Sequence, residues 1–480
     1  MKNKFNTMFR RFAALASAAV MLTAAGTGCS GKDKVTIQEP TDKLVIYSGP
    51  DVDKALKAAL SSFKNLYPNV EVEYKEFGTF ADPEAESNYL ETIKNELSSG
   101  KGPDLILMHS SEYDDIYRMM KSESFQDLNP LLENDESFDK GLYNETVFDS
   151  GVFEGKRYFI PISYSMRVLL TSQEALEAEN VSVNNDLSFD EFSEIMTNYV
   201  DKYESNMDKT FFTLEGMKLE TFFPWNGMNL LDYEKKKVLI DNDDFKKTME
   251  LYKKYYNMDN REQESVLSTY QGDGAVMINS GSCLFESGIL GGVSKALEVY
   301  SALLTDKTPV LSRFPSINDK NVATPKYMAA IRSGSPNQAN AYSFIKILLS
   351  EDYQNKNAVF SEACLEIPVL KSALENGIDS WNKKFGGQKD TEHGVTLTAL
   401  SDADKDKFID IYSNVDACEL YNNNLINFVW EAMEPYFKGE RSYDECQKNL
   451  YKITAEKTVY LFVFYIKYSG FEGLELYMNE

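Results

Sequence analysis

"KLVIYSGPDVDKALKAALSSFKNLYPNVEVEYKE", residues 43–76, changes its hydrophobic period twice, and those changes decide the fold. Lys43–Gly49 is a short apolar run of the kind buried in a sheet. From Val52 the apolar side chains fall at Val52, Ala55, Leu56, Ala59, Leu60, Phe63 and Leu66, one face of a helix at 3.6-residue spacing. Asp51 stands where an N-cap is needed, and Tyr67-Pro68-Asn69 stops the helix. "VEVEY", residues 70–74, then alternates as a strand does. A second helical stretch spans Tyr89 to Leu97 and ends at Gly100. "PDLILM", residues 103–108, is a continuous apolar run suited to a parallel strand covered on both faces. Strand, helix, strand, helix, strand at this rhythm predicts an α/β layer on a parallel sheet. Ligands of such sheets bind beyond the carboxyl ends of the strands, here Ser48–Asp51 and His109–Tyr113.

The middle of the chain reads differently. "GVFEGKRYFIPISYSMRVLLTSQEAL", residues 151–176, carries Pro161 inside an apolar stretch, which demotes it from a central strand and suits a crossing between two lobes. Helical patterns follow at Phe189–Tyr199 and Phe245–Tyr255, separated by the loop "FFPWNGMNLLDY", residues 222–233. "DGAVMINSGSCLFESG", residues 273–288, predicts a strand and then a Gly/Ser loop. Pro315 in "LSRFPSIN" (311–318) and Pro368 in "LEIPVLKSAL" (365–374) mark two further crossings. Between them, "KYMAAIRSGSPNQANAYSFIKILLSEDYQ" (326–354) predicts a strand, a turn and an amphipathic helix. Three crossings make both lobes discontinuous: 42–158 with 317–368, and 162–313 with 372–480. There is no internal repeat and no low-complexity tract.

The first residues are a separate matter. Lys2, Lys4, Arg10 and Arg11 precede an apolar run from Phe12 to Ala25, a basic start and a core of secretory length. A membrane span needs about 20 apolar residues, so this run is too short. Gly26, Thr27 and Gly28 lead into Cys29, an arrangement that resembles a bacterial lipoprotein signal in which the cysteine is lipidated and becomes the new N-terminus. Gly26 departs from that pattern, which prefers Leu, and a plain secretory signal with an incidental cysteine is the competing expectation. Residues 1–28 are thus read as signal peptide and 29–41 as linker.

The whole chain carries a formal charge of −25, and without the four positive charges of residues 1–28 it carries −29. So acidic a surface repels phosphate backbones and anionic headgroups, which argues against nucleic acid and peripheral membrane binding. Cys283, Cys364, Cys418 and Cys446 are widely spaced, and two disulfides or free thiols both fit.

Catalytic motifs are absent: there is no HExxH, GxSxG, P-loop or GxGxxG. His109 and His393 are the only histidines, poor material for a metal site or a triad, so neither metal nor cofactor is expected. Asp402–Asp410 begins like a calcium loop, but Lys407 stands where that loop needs Gly and Ser413 where it needs Glu; a solvated helix start fits better.

Aromatic rings are plentiful, with 29 Tyr and 29 Phe, while the three Trp are placed individually enough to weigh one by one. A sugar offers a flat C–H face rimmed by hydroxyls, and its site needs a ring platform with fixed polar groups. Trp225, between a proline and an Asn-Gly turn, is the candidate platform, with burial in a local cluster as the alternative. Asn226 beside it offers a donor and an acceptor. Trp381 in "DSWNKKFGG" (379–387) is a second loop candidate, and Trp430 lies on a helical core pattern. From the strand ends come Ser48, Asp51, Ser110, Ser111 and Glu112. Ser48 competes with a role as helix cap and Glu112 with one as a helix-start acid.

Taken in order, "KLVIYSG", "GPDLILMHSSEYDDIYRMM", "YFIPISYSMRVLLTSQEAL", "GDGAVMINSG", "SGSPNQANAYSFIKILLSEDYQ" and "EIPVLKSAL" resemble an extracellular solute-binding protein of family 1, the maltose-binding-like receptors of ATP-driven sugar importers. The resemblance spans nearly all of residues 42–455. It implies a periplasmic-binding-protein-like α/β fold of two discontinuous lobes joined by three hinge crossings. It also implies closure around an oligosaccharide, delivery to ABC permease subunits, no enzymatic activity, and a monomer tethered through Cys29 to the outer face of the bacterial cytoplasmic membrane. It adds Tyr164 and Ser165 after the first crossing as ligand contacts, with Arg167 nearby as a contact or a surface ion-pair partner. From the "SGSCLFESG" loop it adds Ser282 and Glu286, the latter competing with a plain solvated loop acid. Two alternatives stay open: a tethered carbohydrate-active hydrolase using two acids, and the same fold holding a non-sugar ligand such as a polyamine. The aromatic end, "TVYLFVFYIKYSGFEGLELYMNE" (458–480), holds an apolar run, Val459–Ile466, too short to span a membrane and expected to pack as a strand or helix turn.

Overall fold

The structure, a computed structural model, describes residues 41–49, 53–77, 83–110, 116–183, 187–213, 222–223, 226–232, 235, 237–262, 274–287, 292–357, 366–389, 395–418, 420 and 423–462. Its first layer is the one the opening stretch predicts. Strand β1 (Lys43–Ser48) leads to helix α1 (Asp53–Leu66), β2 (Glu71–Glu76), α2 (Pro83–Ser98) and β3 (Leu105–His109). β1 pairs in parallel with both β2 and β3, with Ile46 opposite Leu105. β3 is covered on both faces: Leu105 and Leu107 enter one hydrophobic cluster, while Ile106 and Met108 enter another. An uninterrupted apolar run is what such a strand requires. α1 buries Leu56, Ala59 and Phe63, as its spacing predicts, while Leu66 at its end is exposed.

The chain then reaches the crossings. β4 (Ile160–Pro161), β5 (Ser163–Met166) and β6 (Val168–Ser172) follow one another with single-residue breaks. The second layer supplies α3 (Phe189–Tyr203), β7 (Thr210–Phe212), α4 (Asp243–Glu262), α5 (Gly274–Asn279), β8 (Cys283–Phe285), α6 (Gly292–Leu303) and β9 (Pro309–Arg313). α3 starts on a capping box in which Ser188 and Glu191 satisfy each other's backbone amides. Its face of Phe192, Met196 and Tyr199 packs with Phe211, Phe212, Phe285, Tyr252 and Tyr255 in a second, strongly aromatic core. The chain returns through β10 (Val322–Pro325) and β11 (Tyr327–Ile331) to α7 (Gln338–Leu349). It leaves again at β12 (Ile367–Pro368) for α8 (Lys371–Phe385), α9 (Asp402–Ser413), β13 (Ala417–Cys418), α10 (Asn423–Phe437) and α11 (Tyr443–Phe462).

Two sheets place the site. The first has the order β2-β1-β3-β11-β4, which puts Pro161 on an edge strand, where a missing N–H costs nothing. The second has the order β12-β5-β10-β13 and is assembled from the crossing segments themselves. β5 is its middle: Thr324 of β10 lies opposite Ser165, and Ile367 of β12 lies opposite Tyr164. The segment of Pro161 pairs with β11 and that of Pro368 with β5, while Pro315 lies in the link between β9 and β10.

Three expectations about elements need comment. The run "AVMIN" within residues 273–288 forms the helix α5, and the strand falls later, on Cys283–Phe285. Four apolar residues fit either element; the turn at Gly281, with φ of +71°, reverses the chain and leaves only the later run free to pair with β7. The acidic stretch at Asp402 is a helix start, capped by Ser401, and the Asp404 carboxylate is taken up by Ser401 and Tyr300. α11 extends through Val459 to Phe462, so the rest of the aromatic end lies outside the described residues. Cys446 is a buried thiol, and the Cys283 thiol donates to the Phe285 carbonyl. No described helix is long and apolar enough to cross a membrane.

Candidate ligand-binding face

In β5, alternate residues go to opposite sides. Tyr164 and Met166 enter the hydrophobic core together with Ala323 of β10 and Ile367 of β12. The Tyr164 hydroxyl donates to the Tyr412 carbonyl at 2.8 Å. Ser163 and Ser165 therefore project from the other face. So do their neighbours in register: Thr324 opposite Ser165, Glu366 one residue before Ile367, and Lys326, whose amide donates to the Ser163 carbonyl at 2.9 Å. The Ser163 hydroxyl donates to Glu366 Oε2 at 3.0 Å, which confirms the shared side. Ser110, just past the carboxyl end of β3, joins them, its amide donating to the Lys326 carbonyl at 2.9 Å.

This face is short of partners. The hydroxyls of Ser110, Ser165 and Thr324 are buried and make no hydrogen bond among the described residues. Leaving one such group unpaired costs about 1–3 kcal/mol. All three lie on this face, where buried hydroxyls without partners make it a candidate for receiving polar groups from outside the chain.

The charged groups are equally unusual. Burial pushes the Glu366 carboxyl up to about 7, offset in part by the Lys326 charge and the Ser163 hydroxyl. Burial likewise lowers the Lys326 ammonium, with Glu366 acting against it. His109, packed edge-on against Tyr327 at 5.1 Å, is lowered to about 3, first by burial and then by Lys326, so it is neutral at pH 7. Lys326 and Glu366 each keep some solvent contact while closely surrounded by protein. They feel each other's charge, yet no ion pair joins them among the described residues.

The residues nominated from sequence divide into groups. Ser110 and Ser165 lie on this face. Tyr164 does not: strand alternation turns it into the core, which corrects its expected role. Trp381 is also corrected, because it sits within α8, 2% exposed, packed against Phe385. The Gly-Gly pair that made it look like a loop residue ends the helix instead, at Gly386.

Asn226 is fully buried and committed. Its Oδ1 accepts from the Met228 amide at 2.9 Å and its Nδ2 donates to Thr248 at 3.3 Å, closing the turn at Gly227 (φ +73°). Ser48 is fully buried with its hydroxyl on Tyr74 at 2.7 Å, a tie between β1 and β2 and neither cap nor ligand group. Ser282 closes the turn after α5, bonded to Ser280 at 3.0 Å and holding the Thr210 amide through its carbonyl.

Glu286 is no solvated acid. It is 6% exposed, paired through its backbone with Leu170, and its carboxylate accepts from Thr213. Arg167 is no surface partner either: it is 1% exposed, with its guanidinium 4.3 Å from the Phe314 ring centre. Trp430 packs beside the second core, as expected, near Tyr252, Tyr256 and Phe437. Asp51, Ser111, Glu112, Trp225, Cys364 and Cys29 lie outside the described residues.

Sequence reasoning missed Ser163, Thr324, Lys326 and Glu366. The signal was available as alternation: Ser163 and Ser165 flank Tyr164, and Thr324 and Lys326 flank Pro325, with apolar residues on the intervening positions.

Comparison with known proteins completes the assignment. Residues 48–355 match the profile of the bacterial extracellular solute-binding proteins, and the chain belongs to that family. No curated protein sequence matches it. Among solved structures it resembles the sugar-binding protein MalE from Xanthomonas citri, with a TM-score of 0.62 at 13% identity over 87% of this chain and 98% of that one. It also resembles the cyclic α-maltosyl-1,6-maltose binding protein from Arthrobacter globiformis, with a TM-score of 0.55 at 11% identity over 88% and 99%. A solute-binding protein from Thermotoga lettingae bound with α-D-tagatose gives 0.54 at 17% identity over 88% and 100%. The fold is thus periplasmic-binding-protein-like, with two α/β lobes, in a family of extracytoplasmic binding proteins.

Proposed function

We propose that the protein captures an oligosaccharide between its two lobes and hands it to the membrane permease of an ABC importer. The carrying observation is the face of unpartnered hydroxyls, Ser165 and Thr324 on strands of the crossing sheet and Ser110 just past β3. Neutral hydroxyls that both donate and accept are suited to the rim of a sugar ring, and burial makes each bond count. The family and the sugars bound by its structural neighbours point the same way. Residues 42–158 with 317–368 form one lobe and 162–313 with 372–480 the other. The β5, β10 and β12 segments act as the hinge between them, and ligand favours the closed form because only there do both lobes contact it. Asp51, Glu112 and Trp225 are further contacts supported by their place in the sequence. Cys29 carries the lipid that holds the body beside its permease as a monomer; Cys29→Ala should move the protein from the membrane fraction to the medium.

The test is a thermal-shift screen against mono- and oligosaccharides, polyamines and amino acids. A ligand that binds only the folded protein raises its melting temperature by mass action. A shift with one saccharide class, without turnover of that saccharide, is the expected result. A shift with polyamines alone, or conversion of a sugar to product, would overturn it.

A further inference from the structure

Within the hydroxyl-lined face the charges are not needed to bind a neutral sugar. Lys326 projects from the same side as Ser165 and Thr324, and no hydrogen bond joins its ammonium to another described residue. Its backbone is fixed on both sides, the amide by the Ser163 carbonyl and the carbonyl by the Ser110 amide, so the side chain is aimed and not free to swing into bulk water from a loop. Around it stand the unpartnered hydroxyl of Ser110, which is 7% exposed, and that of Thr324, which is fully buried. A largely buried cation that no hydrogen bond or close ion pair holds is costly, and chains retain one where something pairs with it.

The nearest internal candidate is Glu366, which makes no ion pair with Lys326. Its carboxyl is held by the Ser163 hydroxyl, and its affinity for a proton is raised until it is about half neutral at pH 7. His109, the other titratable group at this spot, is uncharged there. A cation, two or three hydroxyl donors and a carboxyl able to donate its own proton together form a receptor for a carboxylate.

We infer that the ligand of this face is an acidic saccharide, a uronate-bearing oligomer whose carboxylate is seated on Lys326 between Ser110 and Thr324. This rests on the saccharide reading above and narrows it. Lys326 is then a specificity residue: its ammonium offsets the desolvation of an anionic substituent that a wholly neutral sugar site would reject. The chain's overall negative charge works against encounter with such a ligand, so added salt should speed association while weakening the seated contact.

The experiment compares matched pairs by calorimetry on the purified protein: trigalacturonate against its methyl ester, and glucuronate-substituted xylotriose against plain xylotriose. The expected result is binding of at least one acid at least tenfold tighter than its neutral counterpart. Lys326→Met should collapse that ratio to near one, and Lys326→Arg should restore most of it. Melting temperatures of both variants show whether they are folded, and the ratio is read only from folded protein. Equal or tighter binding of the neutral members, or an acid preference untouched by Lys326→Met, overturns the inference and leaves the oligosaccharide reading standing. Tighter binding of an amino-sugar oligomer, chitotriose stripped of its acetyl groups, would assign the recognition to Glu366 instead. If no saccharide of any kind binds, the carbohydrate reading itself falls, and this one with it.

Discussion

Tyr164 and Ser165 are joined by one peptide bond and do opposite things. Tyr164 is 1% exposed, surrounded by Met166, Ala323 and Ile367, with its hydroxyl satisfied by a backbone carbonyl. Ser165, on the other face of the same three strands, has a buried hydroxyl with no partner. With the function proposed above, one thin layer would serve as the floor of a core on one side and as a surface for a ligand on the other. On the core face the Tyr164 hydroxyl is matched internally, and stability comes from burial. On the other face matching is incomplete among the described residues, which costs stability. A residue's face, set by parity along the strand, decides which of the two economies governs it.

The sharpest way to break this contrast is to cut the core face. Tyr164→Ala removes a buried ring from among tightly packed neighbours and should destabilise the protein by about 3–5 kcal/mol, read from denaturant midpoints. If the loss were under ~1 kcal/mol, the two faces would not differ in the way described.

A smaller effect, on the opposite face, comes from protons. Glu366 has its carboxyl raised from an ordinary 4.5 to about 7. A group raised in the folded state contributes stability that is fully present below 4.5 and is lost as pH rises through 7. Glu366→Gln keeps the neutral form at every pH. Its midpoint should match that of the parent near pH 4.5 and exceed it at pH 8, by roughly 1–3 kcal/mol. His109 has the opposite sign: lowered from 6.5 to about 3, it contributes stability above 6.5 that is lost as pH falls toward 3. A His109→Gln variant isolates that acid limb, so the two groups are separable even where their windows overlap. An unchanged pH profile in Glu366→Gln would mean that the carboxyl is solvated and ionised at neutral pH.

Much of this architecture was legible in the sequence because burial imposes a period. β1, α1, β2, α2 and β3 fall where the spacing of apolar residues puts them, and Pro161 and Pro368 mark segments that leave the regular sheet rhythm for its edge and for the crossing sheet. What stayed hidden was parity. The run "ISYSMRV" alternates visibly, but nothing local says whether the serines or the tyrosine face the ligand; strand pairing with Thr324 and Ile367, some 160 and 200 residues on, decides it. For the same reason Lys326 and Glu366 escaped notice: one follows a proline and the other precedes an Ile-Pro pair, and only the register brings them beside Ser163. Trp381 misled through its Gly-Gly neighbours, which cap a helix. Asn226 misled because its versatile amide was already spent on the turn it helps to form.

The finest test uses differences within the ligand face alone. Thr324→Val keeps the shape of the side chain and its β-branching, and removes a hydroxyl that bonds to nothing. Stability should therefore stay level or rise by up to about 1 kcal/mol, since the burial penalty of an unpaired group disappears. Ser163→Ala is the control. Its hydroxyl is committed, donating to Glu366 at 3.0 Å and accepting from the Tyr327 amide at 3.3 Å, so its loss should cost about 1 kcal/mol. Saccharide affinity should move the other way, falling in Thr324→Val because the lost hydroxyl was available to the sugar. A Thr324→Val variant that is both less stable and unchanged in binding would show that this hydroxyl belongs to the fold, and the two faces of the sheet would then differ only in polarity and not in purpose.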